Sequence, residues 1–332
     1  MVPHVIRLHS AWQLAASAPS GQSVQTLTRS FGRPTGLSAG ESVWLVLDPA
    51  LLGAEAACNG RVLSALGQAA APLEFEITGL LADRNELRLS ADSLPTLPGG
   101  GRGGSLSEGL VKLEIRSDAW IKDLSLLAVD DGDQDATVRL AGEIVVRGAT
   151  SALALVATVL GRELLYRDVG GGEFQFGTMA AELPRWKLGS RNALADLELR
   201  LLAAGHVCWQ ARLPVAARPP VELQAGHAVN VAGQSVEWPA AWRPPPLPFE
   251  PSAYAFRLAE EAVLTALPRV LPNAFYRTCD ELGLGILQRT PPGTSSAVVR
   301  QLLRHPSILD CGDHVSPVNP RSGNRPAPAG LQ

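Results

Sequence analysis

Through the first two thirds of the chain, apolar residues recur at every second position or in short unbroken runs. The runs at 43–47, 73–77 and 86–89, with Leu73, Phe75 and Ile77 alternating with Glu74 and Glu76, have the period of strands, whose side chains point to opposite faces in turn. Turn-forming residues punctuate them: Asn59-Gly60 is the pair that a tight hairpin demands, and Asp83-Arg84-Asn85 marks a second turn. After a glycine-rich loop at 99–104 the pattern resumes at 111–115 and 120–126. Residues 1–130 are therefore expected to form an antiparallel β-sandwich of jelly-roll type.

An acidic stretch, Asp130-Asp131-Gly132-Asp133-Gln134-Asp135, comes next. It lacks the later bidentate glutamate of a calcium loop and reads as a charged linker. Strand-like runs at 137–146, 153–160, 194–202 and 207–213 follow, a spacing that suits an immunoglobulin-like β-sandwich over 131–218.

From Pro219 the pattern changes. The run Pro244-Pro245-Pro246-Leu247-Pro248 excludes helix and strand ladder alike. Beyond it, apolar spacing predicts helices over 253–267, 273–282 and 296–304, with a buried strand at 284–287 between the last two. Gly283 is placed to end the second helix. Asp280 and Glu281, adjacent on that helix, point about 100° apart and do not converge as an acid/base pair, so a solvated last turn is the expected reading. His305 and His314, nine residues apart, offer no metal-ligand geometry. The tail, 315–332, carries no apolar periodicity and is expected to be disordered.

Composition narrows the classes. A chain of 332 residues accommodates two or three domains, and 46% hydrophobic with 18% charged residues suits folded globular units. No stretch is long and apolar enough for a membrane helix. A net charge of −3 with no basic block argues against nucleic acid as a partner. Only Lys112, Lys122 and Lys187 are lysines among 29 basic residues, a bias that selects no function. Cys58, Cys208, Cys279 and Cys311 form no C-x-x-C pair, so free thiols are expected and no metal site. No cofactor is indicated either. Arg7 and His9 interrupt any apolar signal core, which makes the cytoplasm the default location.

One run is more specific. Asn273-Ala274-Phe275-Tyr276-Arg277-Thr278-Cys279-Asp280-Glu281-Leu282-Gly283, followed by His305-Pro306-Ser307-Ile308, resembles the FYxxCDExG…HPSI signature of family 2 glycoside hydrolases, above all their β-mannosidase-like and β-galactosidase-like members. Weaker matches extend the resemblance upstream. Phe75, Ile77, Thr78, Leu80, Leu81, Asn85, Leu87 and Leu89 follow the motif order of that family's galactose-binding-like N-terminal domain; Pro184-Arg185-Trp186 and 194–199 are similar to its closing immunoglobulin-like strands, with Ala195 where tyrosine is usual. The passage 229–244 is similar to the one that opens its catalytic barrel, with Ala232 and Ala241 in place of asparagines. The resemblance thus implies a mainly β, multi-domain protein: a galactose-binding-like jelly-roll sandwich, an immunoglobulin-like β-sandwich, and a short α/β remnant of a TIM barrel at 219–314.

The same resemblance puts the reaction in question. Its Asn-Glu should follow Ile308 by seven residues, where Val315-Ser316 stand, and Glu281 is the last glutamate of the chain. Between Gln224 and His314 there are 91 residues, whereas a closed barrel takes typically about 250. A retaining glycosidase needs two carboxyl groups about 5–5.5 Å apart. The remaining acids are Asp310 and Asp313, and Leu287-Gln288-Arg289-Thr290 places an arginine where the resembled segment has an aspartate. Trp242 and Arg269 match positions that line the sugar pocket of that family and are the candidate ligand-binding residues. The expectation is a pseudoenzyme that binds carbohydrate or a protein, with a partner chain or second copy covering the open barrel edge. The alternative is a residual glycosidase of β-mannosides or β-galactosides using Asp310 or Asp313 and completed by another chain, or a degraded gene fragment.

Overall fold

Alternation along the strands becomes burial. In β8 (Arg84–Ala91), Asn85, Leu87 and Leu89 are buried while Arg84, Glu86 and Arg88 are exposed. The computed structural model describes residues 4–8, 12–14, 24–38, 40–65, 67, 73–91, 96–97, 103–106, 110–130, 132, 135–148, 152–224, 228–237, 265–267, 270–291 and 293–311.

Two antiparallel sheets form the first sandwich. One has the order β1 (His4–Arg7), β11 (Val111–Arg116), β4 (Ser42–Leu47), β7 (Glu74–Glu76). The other runs β6 (Arg61–Ser64), β5 (Glu55–Cys58), β8, β3 (Gln25–Gly32), β2 (Trp12–Leu14), β10 (Gly103–Leu106), β9 (Thr96–Leu97). Trp12, Leu27, Leu45, Ile77, Leu87 and Leu89 fill the space between them. The Asn59-Gly60 pair turns β5 into β6 with φ of 50° and 79°, the left-handed conformation that a two-residue hairpin requires. The Asn59 side-chain amide also donates to Asn85 Oδ1 and to the Leu80 carbonyl, tying the hairpin to β8.

The second sandwich sets β12 (Ala119–Val129), β13 (Ala136–Val146) and β16 (Gly172–Ala181) against β15 (Arg162–Val169), β14 (Leu153–Val159), β17 (Ala195–Ala203) and β18 (His206–Val215). Its core contains Trp120, Leu126, Leu140, Leu155, Leu199 and Leu201. The run 120–126, expected in the first sandwich, belongs here: β12 pairs with β13 from Ala119↔Val146 to Val129↔Thr137. Alternation fixes which face of a strand is buried, not which sheet receives it, and only Ser117 and Asp118 separate β12 from β11.

The third region opens with a meander, β19 (Val221–Gln224), β20 (Ala228–Val231) and β21 (Gln234–Glu237). A parallel strip follows, β22 (Thr265–Leu267), β23 (Ile286–Gln288) and β24 (Ile308–Cys311), connected by α1 (Asn273–Leu282) and α2 (Ser296–Leu303). Both helices have the ends that their sequence predicts: the Ser295 hydroxyl accepts from Val298 N at the start of α2, and Gly283 terminates α1 at φ 73°. Thr265–Leu267, expected as the end of a helix, is instead a strand paired in parallel with Ile286–Gln288, because three residues carry too little periodicity to resist a ready partner. Residues 253–264 of that expected helix, the proline run and the tail lie outside the described residues. Three parallel strands do not close a barrel.

The sandwiches meet through an aromatic and charged clasp. The rings of Trp44 and Trp120 lie 5.4 Å apart. The Arg116 guanidinium sits 4.7 Å from the Trp44 centroid and that of Arg147 5.2 Å from the Trp120 centroid. Arg116, almost fully buried, is neutralised by Glu74 at 2.8 Å and Glu114 at 2.6 Å; Arg147 grips Glu76 at 2.6 and 2.9 Å. Hydrogen bonds from Arg147 hold the Glu76 carboxyl below its usual range. Burial pushes Glu114 up, but the charges of Lys112 and Arg116 outweigh it and the net direction is down.

Both carboxyls thus ionise more readily folded than unfolded. Their stabilisation is present above the unfolded value of about 4.3 and is lost as pH falls through the lower folded values. Thermal unfolding followed from neutrality down to about pH 3 is expected to show a Tm decline that is shallower in the Glu76→Gln/Glu114→Gln double variant than in the parent chain. Parallel curves would remove the clasp from the acid response.

Candidate functional site

The signature run folds into α1 and into the turn before β24. Helical spacing puts Phe275, Tyr276, Cys279 and Asp280 on the buried side of α1, where the apolar members join Val270, Leu271, Leu284, Ile286, Val298, Leu302 and Ile308 in one core. Asp280 is 1% exposed, which corrects the expectation of a solvated last turn. One of its oxygens lies 2.7 Å from His305 Nδ1, and the other accepts from Ser307 N at 3.0 Å. A buried carboxylate needs such partners, and the His-Pro-Ser segment supplies them.

From this pair the polar contacts run outward to both sandwiches. Asn273 donates through its backbone N and Nδ2 to Asp48 Oδ2, at 3.2 and 2.8 Å, and so binds the start of α1 to the first sandwich. Asn273 Oδ1 accepts from Arg304 at 3.1 Å. Burial raises the Asp48 carboxyl above its ordinary value, against the lowering effect of the Ala50 N–H, Asn273 and Arg304. On the other side, Trp186 Nε1 donates to the Asp280 carbonyl at 3.0 Å, Gly189 N to Gly283 O at 2.8 Å and Asn192 N to Glu281 O at 2.8 Å. Arg218, at the exit of the second sandwich, donates to the carbonyls of Leu303, His305 and Ile308.

The strip has two faces. Ile286 packs among the helices, and Gln288 Oε1 on the same face accepts from the Tyr276 hydroxyl at 2.6 Å. The Tyr276 oxygen in turn accepts from Leu271 N, and burial raises the phenol well above its usual value. Leu287 and Leu309 point to the opposite face, where Trp186, Ala216 and Val231 cover them. The register shifts within β24, so that Asp310 aligns with Leu287 and Cys311 with Gln288.

Of the four residues singled out from the sequence, Trp242, Arg269 and Asp313 lie outside the described residues. Asp310 stands half-buried on β24, and its charge is felt by Arg218. Its neighbour Cys311 is pushed up to about 11, mainly by burial, which keeps the thiol neutral and unreactive near pH 7. All four cysteines are free. Among the described residues no cluster of three or more His, Cys, Asp or Glu could hold a metal ion, and no helix is long and apolar enough to cross a membrane. Asp48 and Arg218 are the contributors that sequence reasoning missed. An acid before a proline and an arginine before Pro219-Pro220 are local turn signals, and neither reports a partner far along the chain.

No protein-family model matches the sequence, and no curated protein is similar to it. Solved structures are. A β-glucuronidase of Bacteroides uniformis superposes with a TM-score of 0.68 at 16% identity, over 93% of this chain and 46% of its own. A β-glycosidase of Bacteroides vulgatus gives 0.66 at 14% identity, over 96% and 51%. A β-D-mannosidase of Dictyoglomus thermophilum gives 0.64 at 15% identity, over 92% and 51%. The chain has the fold of these glycosidases. The resemblance to family 2 glycoside hydrolases carried by the signature run therefore holds at the level of fold, and the chain spans about half the length of the structures it matches. Within that glycosidase fold, the signature residues described above are occupied in joining the strip to its neighbours.

Substitutions at Gly283 and Asp280, with Gly148 as the control, test this. A Cβ at Gly283 would overlap the Ser190 carbonyl oxygen and lie 2.5 Å from that of Lys187, whereas at Gly148, also at positive φ, it would meet nothing within 4 Å. Gly283→Ala is expected to cost roughly 2–4 kcal/mol in urea unfolding and Gly148→Ala about 1 kcal/mol, from backbone strain alone. Equal losses would mean that the close approach is immaterial. Asp280→Ala, which orphans Ser307 N and His305 Nδ1, is expected to lose about 3–5 kcal/mol, and Asp280→Asn clearly less, because the amide oxygen can still accept from Ser307.

Proposed function

We propose that this chain is a non-hydrolytic, carbohydrate-binding relative of the family 2 glycosidases. The supporting observation is the use to which its carboxylates are put. Asp280 is enclosed between α1 and the turn before β24, Glu281 is held to Arg277 on the helix surface at 3.2 Å, and Asp310 is the sole carboxylate on the parallel strands among the described residues. Glycoside hydrolysis by either stereochemical course needs two convergent carboxyl groups, one to protonate the leaving oxygen and one to attack or to activate water. Asp310 can serve as one of these at most.

Sugar binding is supported by different features. The matched structures are a β-glucuronidase, a β-D-mannosidase and a β-glycosidase. The C-terminal ends of parallel strands are where α/β proteins bind their ligands, and here those ends carry Arg289, Thr290 and Asp310, donor and acceptor types that hydroxyl-rich ligands use. Trp242 and Arg269 complete the proposal as an aromatic platform and a cationic contact.

Calorimetric titration with a panel of methyl glycosides is expected to show heat of binding at millimolar concentration or below, weakened several-fold by Trp242→Ala. Absence of binding across the panel would sink the proposal. Incubation with aryl β-mannoside, β-galactoside and β-glucuronide is expected to release no phenol. Turnover that disappears in Asp310→Asn would instead establish the glycosidase reading.

A further inference from the structure

Asn59-Gly60 is the only Asn-Gly pair in the sequence. Its backbone makes the β5–β6 hairpin, and its chemistry makes it labile. With no side chain on the following residue, the glycine nitrogen reaches the asparagine carboxamide carbon more readily than any other residue's would, the reaction behind the thermal lability of asparagine. Both residues are exposed, so water has access to the pair.

The fold holds the carboxamide away from that reaction. Asn59 Nδ2 donates to the Leu80 carbonyl at 2.7 Å and to Asn85 Oδ1 at 2.9 Å, and Asn59 Oδ1 accepts from Glu86 N at 2.8 Å. Turning Cγ toward Gly60 N breaks all three. Asn85 is fixed as well. It is buried, its Oδ1 also accepts from Ala82 N at 2.8 Å, and its Nδ2 donates to the Ala82 carbonyl at 2.8 Å. A flipped Asn85 amide would set donor against donor and acceptor against acceptor at Ala82.

We propose that Asn59 is a site of spontaneous deamidation, held shut by the closed hairpin, whose product is barred from the native contacts. In the opened hairpin the Gly60 nitrogen gives up its proton and bonds to Asn59 Cγ; the Cγ–Nδ2 bond breaks and ammonia leaves, forming a cyclic imide. Water then adds to one of the two imide carbonyls and that C–N bond breaks, leaving aspartate or isoaspartate. An aspartate at 59 faces the Leu80 carbonyl and Asn85 Oδ1 with no proton to offer, so two hydrogen bonds become repulsions. Isoaspartate adds a carbon to the main chain and moves the turn out of the register that Cys58↔Arg61 sets. The reaction converts a transient opening of this corner of the first sandwich into a lasting one.

The test is peptide mapping by mass spectrometry of the full chain, held for days in warm, mildly alkaline buffer without urea or with urea above the unfolding midpoint. In urea, Asn59 is expected to deamidate at least tenfold faster than Asn192, which alanine follows. Without urea, Asn59 is expected to react at least tenfold more slowly than with it, because only the opened fraction reacts. Asn85→Ala is expected to raise the rate without urea several-fold and to leave the rate in urea unchanged. Asn59→Asp is expected to unfold at lower urea concentration than Asn59→Gly, which suits the same turn and loses the same bonds without the repulsion. An Asn59 no faster than Asn192 in urea overturns the site. Equal rates with and without urea overturn the shielding, and an unchanged rate in Asn85→Ala overturns the part of that bond in it. Asn59→Asp at least as stable as Asn59→Gly overturns the lasting consequence.

Discussion

The enclosure of Asp280 is the constraint around which the third region is organised. A carboxylate removed from water is tolerated only where its oxygens are hydrogen-bonded, and here those bonds come from His305 and Ser307, on the far side of α2 in sequence. Satisfying one carboxylate fixes the distance between α1 and β24 and hence the position of β23 between them. The helix that bears it is clamped at both ends, by Asp48 at Asn273 and by the 187–192 loop at Gly283. The parallel strip is therefore not an appendage resting on a sandwich. It is wedged between two.

Much of this was legible in the residues. The alternating runs gave strands close to where they occur, and the Asn59-Gly60 hairpin follows from a backbone conformation that few other pairs adopt. The bounds of α1 came from its apolar spacing and Gly283. What was not legible has a common physical character. Alternation is blind to the identity of the opposing sheet, so it does not tell that β12 belongs to the second sandwich. Three residues carry no period, so the strand Thr265–Leu267 is not distinguishable in the sequence from a helix end. The chemistry of Asp280 was misjudged because a helix pattern tells which residues share a face and not what lies across from a polar one; the histidine that encloses it is 25 positions away.

The candidate site was legible in a more limited sense. The arginine at 289 is visible in the sequence as a departure from the resembled segment, whereas the burial of its Nε is a property of packing. Conversely, the signature that identified the fold turns out to mark its joints. Residue types that suggest chemistry in a sequence, Asp-Glu on a helix and His before proline, are here used to join elements, with both carboxylate oxygens of Asp280 hydrogen-bonded.

The contact between Asp48 and Asn273 joins positions 225 residues apart, and that between Trp186 and Asp280 joins positions 94 apart. Each sandwich closes its strand pairs within its own stretch of chain, His4 to Ile115 in the first included. Contacts of such long range reward the chain only after the intervening loop has been closed. The seat of α1 is made of both surfaces, Asp48 of the first sandwich at one end and Trp186 and the 187–192 loop of the second at the other. The joints that hold α1 therefore depend on surfaces that both sandwiches must present.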